Sequence, residues 1–364
     1  MNQHFVPRVY LRNFANRRGD EYFVDVFDTK LSRYFNANIK KVCSETDFYT
    51  LEEGNRVARD LFAIEKIYGN GIEPLYKKSY DILTNPNIRF ISELQRAEII
   101  MGLFQFYIRN PRLLNRSLAH HKAQILKLCR EANSSFKKGI TYLDIDFSFR
   151  EYTTEGIMDY FEKLITKTFK EQHISRIDEI GSFHIDVKFE VAMIREDDSE
   201  FITSDNPLAL QDLISNDENP LERSKEFIIS LNKKTAIRLY HDNSKRRDEV
   251  RRHWIPNLSV TMHNNTVREQ ASRFLITNRE TNERNQQQTD KFLNDTSAEA
   301  KINMIRQVLA IFPETNENRD SHAVLIEYLK KYEQNGTLTD QEQHEMILKT
   351  REIQNKFLRR RITL

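Results

Sequence analysis

Two short motifs hold the side chains best suited to chemistry. The first runs from His4 through Pro7, Arg8, Tyr10, Leu11 and Arg12 to Phe14. An imidazole at 4 can move a proton, and a guanidinium at 8 can meet negative charge. Pro7 disfavours helix at Val6, so His4–Val6 should be extended. Val9, Tyr10, Leu11 and Phe14 then form the apolar face of a short helical turn that anchors the segment. His4 could equally do no more than bond to nearby backbone. The second motif is Thr203, Ser204, Asp205, Asn206, Pro207, Leu208. Pro207 ends a strand and holds Asn206 extended. A carboxylate plus an amide at a sheet rim can bind a metal, orient water or read a ribose or base edge. In a plain turn the same two residues would only bond neighbouring amides.

Glu65 and Glu73 flank Gly69 and Gly71 within an apolar pattern of helical spacing from Arg56 to Leu83. On a straight α-helix, eight residues would set them about 80° apart and roughly 12 Å along the axis. That is too far for one metal ion or one shared proton, although a kink at the glycines would shorten it. Both could instead be solvated helix acids. Arg109 leaves an apolar helix, Glu93–Asn110, where Pro111 stops it. It could satisfy the last carbonyls or project as an anion clamp. Asn264 could cap a helix running toward Phe274 or add a polar group to a site. Two further patterns read better as surface features than as ribonuclease signatures: Arg116 to His121 as a surface-facing stretch of helix, and Arg247 to His253 as a solvated charge run.

The elements that must position these groups follow from periodicity. Tyr22, Val24 and Val26 alternate with Phe23, Asp25 and Phe27 in a strand over 21–28, and a hairpin partner is expected between Tyr34 and Tyr49. Helices are expected over 93–110 and 112–131, and after a cap at Thr154. Residues 144–150 should form a loop or strand. Phe183 to Met193 alternates as one long strand. A polar turn at 195–200 should return it through Phe201–Thr203 as its partner. Residues 227–231 and 236–240 should form a hairpin around Asn232–Lys234. Helices are expected at 297–312 and 320–334. Thr339 with Glu342 reads as a capping box for a last helix, ending in the cationic run Lys356–Arg361. The fold class is α+β: largely helical, with a small, mostly antiparallel sheet carrying the Ser204–Pro207 motif and a helical C-terminal extension. The domain reading is 1–280, a polar linker at 281–296, and 297–364.

Composition narrows the functional classes. The chain of 364 residues carries 56 basic and 54 acidic side chains, a net charge of +2. That balance supplies no global field for nucleic acid, so only local patches could attract it. Two cysteines, Cys43 and Cys129, cannot make a zinc cluster and suit a reducing compartment. With neither a leader-like N-terminus nor an apolar run of spanning length, a cytoplasmic location without membrane insertion is expected.

The two motifs together resemble DUF4238, a mainly bacterial family of unknown function, over about residues 4 to 280. The resemblance implies that His4, Arg8, Glu65, Glu73, Arg109, Asp205, Asn206 and Asn264 are the polar positions to collect. If they converge, the set suits metal-assisted phosphodiester chemistry. His4, Glu73, Asp205 and Asn206 would be catalytic, and Arg8, Arg109 and Asn264 would bind substrate. Glu65, Glu73 and Asp205 would hold a divalent Mg or Mn. The leading expectation is a cytosolic nuclease-like or nucleotide-processing enzyme, with a toxin or phage-defence setting implied by the family. The alternative is a non-catalytic module that binds a nucleotide, a nucleic acid or a protein, with the C-terminal helices as partner surface. In a third reading the motifs are structural and pin the N-terminal segment to the sheet.

Overall fold

A computed structural model describes residues 2–183, 185–194, 199–211, 226–241, 248–294 and 319–339, with scattered positions between 302 and 349. The architecture is α+β, built on two five-stranded sheets with helices packed between and around them. One sheet is centred on Glu21–Asp28. This strand pairs with Asn16–Arg18 and Phe274–Ile276 along one edge and with Arg33–Asn38 along the other; Thr203–Ser204 lies beyond Phe274–Ile276. The other sheet runs in the order Ala209–Gln211, Glu226–Asn232, Thr235–Tyr240, Lys188–Ile194, Arg251–Ile255. Its last pair is parallel and the rest are antiparallel.

Helix Glu93–Ile108 is the centre of the core. Ser92 and Gln95 form a reciprocal capping box at its start, which satisfies two otherwise orphaned amides. Ile99, Ile100, Leu103, Phe104, Phe106 and Ile108 are essentially fully buried. Phe104 meets Phe227 of the second sheet edge-on at 4.8 Å, and Phe106 lies 4.7 Å from Tyr10. The N-terminal segment is therefore part of the core. Tyr10 is wholly buried, and its hydroxyl bonds Thr203 Oγ1 at 2.6 Å and the Ser230 carbonyl at 2.8 Å. Upstream, Asn2–His4 is extended and pairs with Ser44–Thr46.

Several local expectations are corrected. The Phe183–Met193 strand starts only at Lys188, because His173–Phe183 is helical. Thr203 does not return beside that strand. Phe201 still bonds the Lys233 carbonyl, and the chain then crosses to the first sheet to pair with Phe274–Ile276. The 56–83 helix begins at Ala63. Pro111 opens the next helix, Pro111–Ser134, rather than only stopping the previous one, and Asn110 caps it through Arg112 N. Proline suits that first position because its missing N–H would be unpaired there anyway. Thr153, not Thr154, caps Thr154–Glu171. The polar stretch after 280 is helical over Arg279–Asn294, with Thr281, Asn282 and Asn285 buried.

The hairpin around Asn232–Lys234 forms as expected. Residues 144–150 contribute one strand of a small hairpin, Gly139–Tyr142 with Ile145–Ser148. Helix Arg319–Asn335 joins Ile302, Ile305, Leu338 and Met346 in a separate C-terminal core. Thr339 and Glu342 make the reciprocal bonds of the capping box. The 297–312 helix lies largely, and Lys356–Arg361 wholly, outside the described residues. No described helix is long and apolar enough to cross a membrane.

Candidate functional site

Arg109 is the hub. It follows the central helix and is wholly buried. Nη1 donates to Glu73 Oε1 at 3.0 Å and to Gln105 Oε1 at 3.2 Å, and Nη2 donates to the His4 carbonyl. The guanidinium carbon sits 4.0 Å from the Tyr68 ring centroid, and the Tyr49 hydroxyl donates to the Arg109 carbonyl at 2.6 Å. A buried cation is tolerated only when its donors find acceptors, and a π face adds to them. Nε has no partner among the described residues. Arg109 therefore spends its donors on the N-terminal segment and on Glu73, not on the last carbonyls of its own helix.

The two glutamates reach this hub through a π-helical turn. Ala63–Ile67 continues through the wide turn Tyr68–Ile72 into Glu73–Thr84. Gly69 and Gly71, which weaken an α-helix interior, lie within the turn. An i→i+5 turn advances each residue by less than 100°, so five such residues remove most of the roughly 80° offset expected on a straight helix. Glu65 and Glu73 thus come to one face. The like charge of Glu73 contributes to raising Glu65, but burial is the larger cause. Arg109 and Arg8 pull the other way without reversing the shift. One Glu65 carboxyl oxygen is buried without a partner among the described residues.

His4 joins the same group. Its Nε2 lies 3.1 Å from the Ile39 carbonyl. A carbonyl can only accept, so the proton is assigned to Nε2 and Nδ1 presents a lone pair. Burial lowers the imidazole pKa; the Ile39 bond opposes this, and Arg8 and Arg109 add to the lowering. His4 and Arg8, Glu65 and Glu73, and Arg109, from three segments, therefore form one electrostatic unit.

Asp205, Asn206 and Asn264 are engaged elsewhere. The Asp205 carboxylate accepts from Ser272 N at 2.8 Å, Arg273 N at 2.8 Å and Phe274 N at 3.0 Å. Burial still pushes its pKa up against the pull of those amides. Asn206 takes a bond from Asn110 Nδ2 at 2.9 Å and gives one to the Gln270 carbonyl at 3.1 Å. Asn264 caps no helix. It lies inside Asn257–Gln270, accepting from Ile202 N at 3.0 Å and donating to the Glu200 carbonyl at 2.9 Å. These three residues clamp the crossing segment between the sheets. Asn110 also bonds the Asp205 carbonyl at 3.0 Å, so the clamp and the hub meet at consecutive residues, Asn110 and Arg109. Among the described residues, no three His, Cys, Asp or Glu side chains gather closely enough to hold a metal ion. Glu65, Glu73 and Asp205 thus do not form such a trio, and no step below runs through a metal.

A family model described as a protein of unknown function, DUF4238, matches residues 2–281. The chain belongs to that family. The DUF4238 region contains both the hub and the clamp and ends just inside helix Arg279–Asn294. No curated protein and no solved structure matches the chain.

Sequence reasoning missed Tyr49, Tyr68, Asn110 and His173 of this DUF4238 site. Tyr68 had a local signal, since it lies three residues after Glu65 and opens the glycine-containing break. His173 had none: it heads a helix far along the chain, and its Nε2 lies 2.6 Å from the Tyr68 hydroxyl. Burial pushes its pKa down to about 3, so the ring is neutral at physiological pH. Its Nδ1 has no partner among the described residues. Tyr68→Phe would leave this buried imidazole without its partner. The expected loss is about 1–3 kcal/mol in urea unfolding; an unchanged midpoint would show that the bond contributes nothing.

Proposed function

We propose that this DUF4238 protein is a cytosolic phosphodiester- or nucleotide-cleaving enzyme that works by general acid–base catalysis at the His4–Glu65 face of the hub. The observation that carries the reading is geometric. His4 is fixed through the Ile39 carbonyl and Arg109, and Arg109 also holds Glu73. Glu73 shares a helix face with Glu65, one of whose carboxyl oxygens has no partner among the described residues. Burial moves a carboxyl up and an imidazole down within one electrostatic unit. Groups tuned toward each other in this way can hold a proton on one and a lone pair on the other near one pH. In the proposed step, His4 Nδ1 takes the proton of the attacking hydroxyl or water. The new P–O bond forms as the old one breaks, and protonated Glu65 gives its proton to the leaving oxygen. Exposed Arg8 offsets the negative charge of the phosphoryl group. Glu73 holds Arg109, which fixes the His4 carbonyl and so the ring. A toxin or phage-defence setting rests on the family resemblance.

Activity needs His4 neutral and Glu65 protonated. It should rise as pH passes the lowered His4 pKa and fall as pH passes the raised Glu65 pKa, giving a bell centred on the acid side of neutrality. The test is cleavage of single-stranded DNA, RNA and nucleotides from pH 4.5 to 8, with and without Mg or Mn. Glu65→Gln should lose about 10²–10⁴-fold in rate. It should also become more stable above the raised pKa, because the folded state there holds a carboxylate that burial disfavours; the gain should vanish at pH values below 4.5. No cleavage by the wild-type chain under any condition, or full activity in Glu65→Gln, would sink the proposal.

A further inference from the structure

Four arginines and no acidic residue occur in the first nineteen positions, and residues 8–41 carry eight basic and four acidic side chains. This segment is thus at net +4, within a chain whose total is +2. The excess has a defined layout. Arg8 lies in the field of Glu65 and His4. Arg12 follows one helical turn later, its N–H bonded to the Arg8 carbonyl, so both project from one side of the turn. The Arg12 guanidinium lies 5.3 Å from the Tyr22 ring centroid, and the Arg18 guanidinium 5.1 Å from that of Phe23. All three arginines are exposed, and among the described residues none has a carboxylate partner. Tyr22 and Phe23 are neighbours in one strand, so they face opposite sides of the sheet. The cations therefore lead away from the site and turn over the edge hairpin Asn16–Arg18/Glu21–Phe23.

We propose that this row is the track for single-stranded nucleic acid, with phosphates on Arg8, Arg12 and Arg18 and unpaired bases stacked on the Arg12 and Arg18 guanidinium planes. The inference rests on the phosphodiester reading above and names its substrate as a strand rather than a free nucleotide. Charge complementarity supplies the attraction. A guanidinium placed beside an aromatic ring and otherwise exposed can offer a planar face to a base, and only unstacked bases can use it. The path also turns over an edge, which a flexible single strand can follow. A duplex, stiff over about 150 base pairs, would have to bend sharply at a cost.

The test uses the full chain carrying Glu65→Gln, to suppress cleavage, and fluorescence anisotropy with a labelled twelve-nucleotide DNA or RNA strand and the matching duplex at several salt concentrations. The single strand should bind more tightly than the duplex. Arg12→Ala with Arg18→Ala should weaken binding about tenfold or more and flatten the log–log salt slope by about 1.4, two phosphates at ~0.7 each. Arg12→Lys with Arg18→Lys should keep the slope while losing several-fold in affinity, because an ammonium keeps the charge but not the stacking plane. No strand binding, equal binding of duplex, or unchanged affinity in the alanine pair would overturn the track. Strand binding by the wild-type chain without cleavage would overturn the enzymatic reading and leave the track standing. Cleavage of free nucleotides alone, unaffected by the arginine substitutions, would do the reverse.

Discussion

A chain lacking its first fourteen residues is expected not to fold cooperatively. Val6, Tyr10 and Leu11 are fully buried and Phe14 nearly so. At about 1.5–3 kcal/mol for each buried side chain, the four together contribute roughly 6–12 kcal/mol. That sum is an upper estimate, because an unfolded chain already hides some apolar surface. It still rivals the whole stability of an ordinary domain, about 5–15 kcal/mol. Polar losses add to it. Thr203 and the Ser230 carbonyl would lose the Tyr10 hydroxyl, and Arg109 would lose the His4 carbonyl. Urea unfolding followed by circular dichroism would check this. A cooperative transition within about 2 kcal/mol of the parent would show that the segment is an appendage.

Asp205→Ala should be the most damaging single change considered, at about 3–5 kcal/mol. It would leave the amides of Ser272, Arg273 and Phe274 without their acceptor, and each buried unpaired donor costs about 1–3 kcal/mol, less any relaxation. Asp205→Asn keeps one acceptor oxygen and should cost less. The pH dependence has a definite sign. Burial holds the folded-state pKa of Asp205 above that of an ordinary aspartate. Its protonation therefore favours the folded chain at low pH, and that contribution is lost as pH rises through the folded pKa. Compared with Asp205→Asn, the wild-type chain should lose stability as pH climbs from about 4 toward neutrality. Urea titrations of both proteins across that range test it. Parallel curves would mean that Asp205 titrates as it does in the unfolded chain.

Much of the local structure was legible because its signals are local. Pro7, Leu11 and Phe14 mark an extended entry and a buried turn within a few residues. The Phe227–Tyr240 hairpin follows from alternation on both sides of a short polar turn. Longer-range relations were not legible. Phe183, Ile185 and Val187 continue the strand alternation backwards, and nothing in the pattern says that a helix ends at Phe183. Thr203 has an adjacent strand to pair with, yet its partner is Phe274–Ile276, some seventy residues on. Asn264 carries the residue type of a cap, but its amide is used in mid-helix on a neighbouring segment. The convergence of Glu65 and Glu73 is hidden in the sequence because its apolar spacing reads as an α-helix, whereas the Gly69–Gly71 break is a π turn. The family resemblance marked both motifs without showing that one joins a half-buried electrostatic group and the other a buried clamp.

Arg109 and Asn110 are separated by one peptide bond, yet one holds the N-terminal segment and the other holds the crossing strand. Anything that loads the His4–Glu65 face thus acts one residue away from the contact that holds the crossing strand. Occupancy and thermal resistance become two readings of a single gauge. A ligand that binds only the folded form at a hundred times its dissociation constant adds about 2.7 kcal/mol. A melting-curve screen of compounds therefore detects binding to the folded chain before any reaction has been assigned to it, and loss of the shift in Glu65→Gln would place a compound at this face.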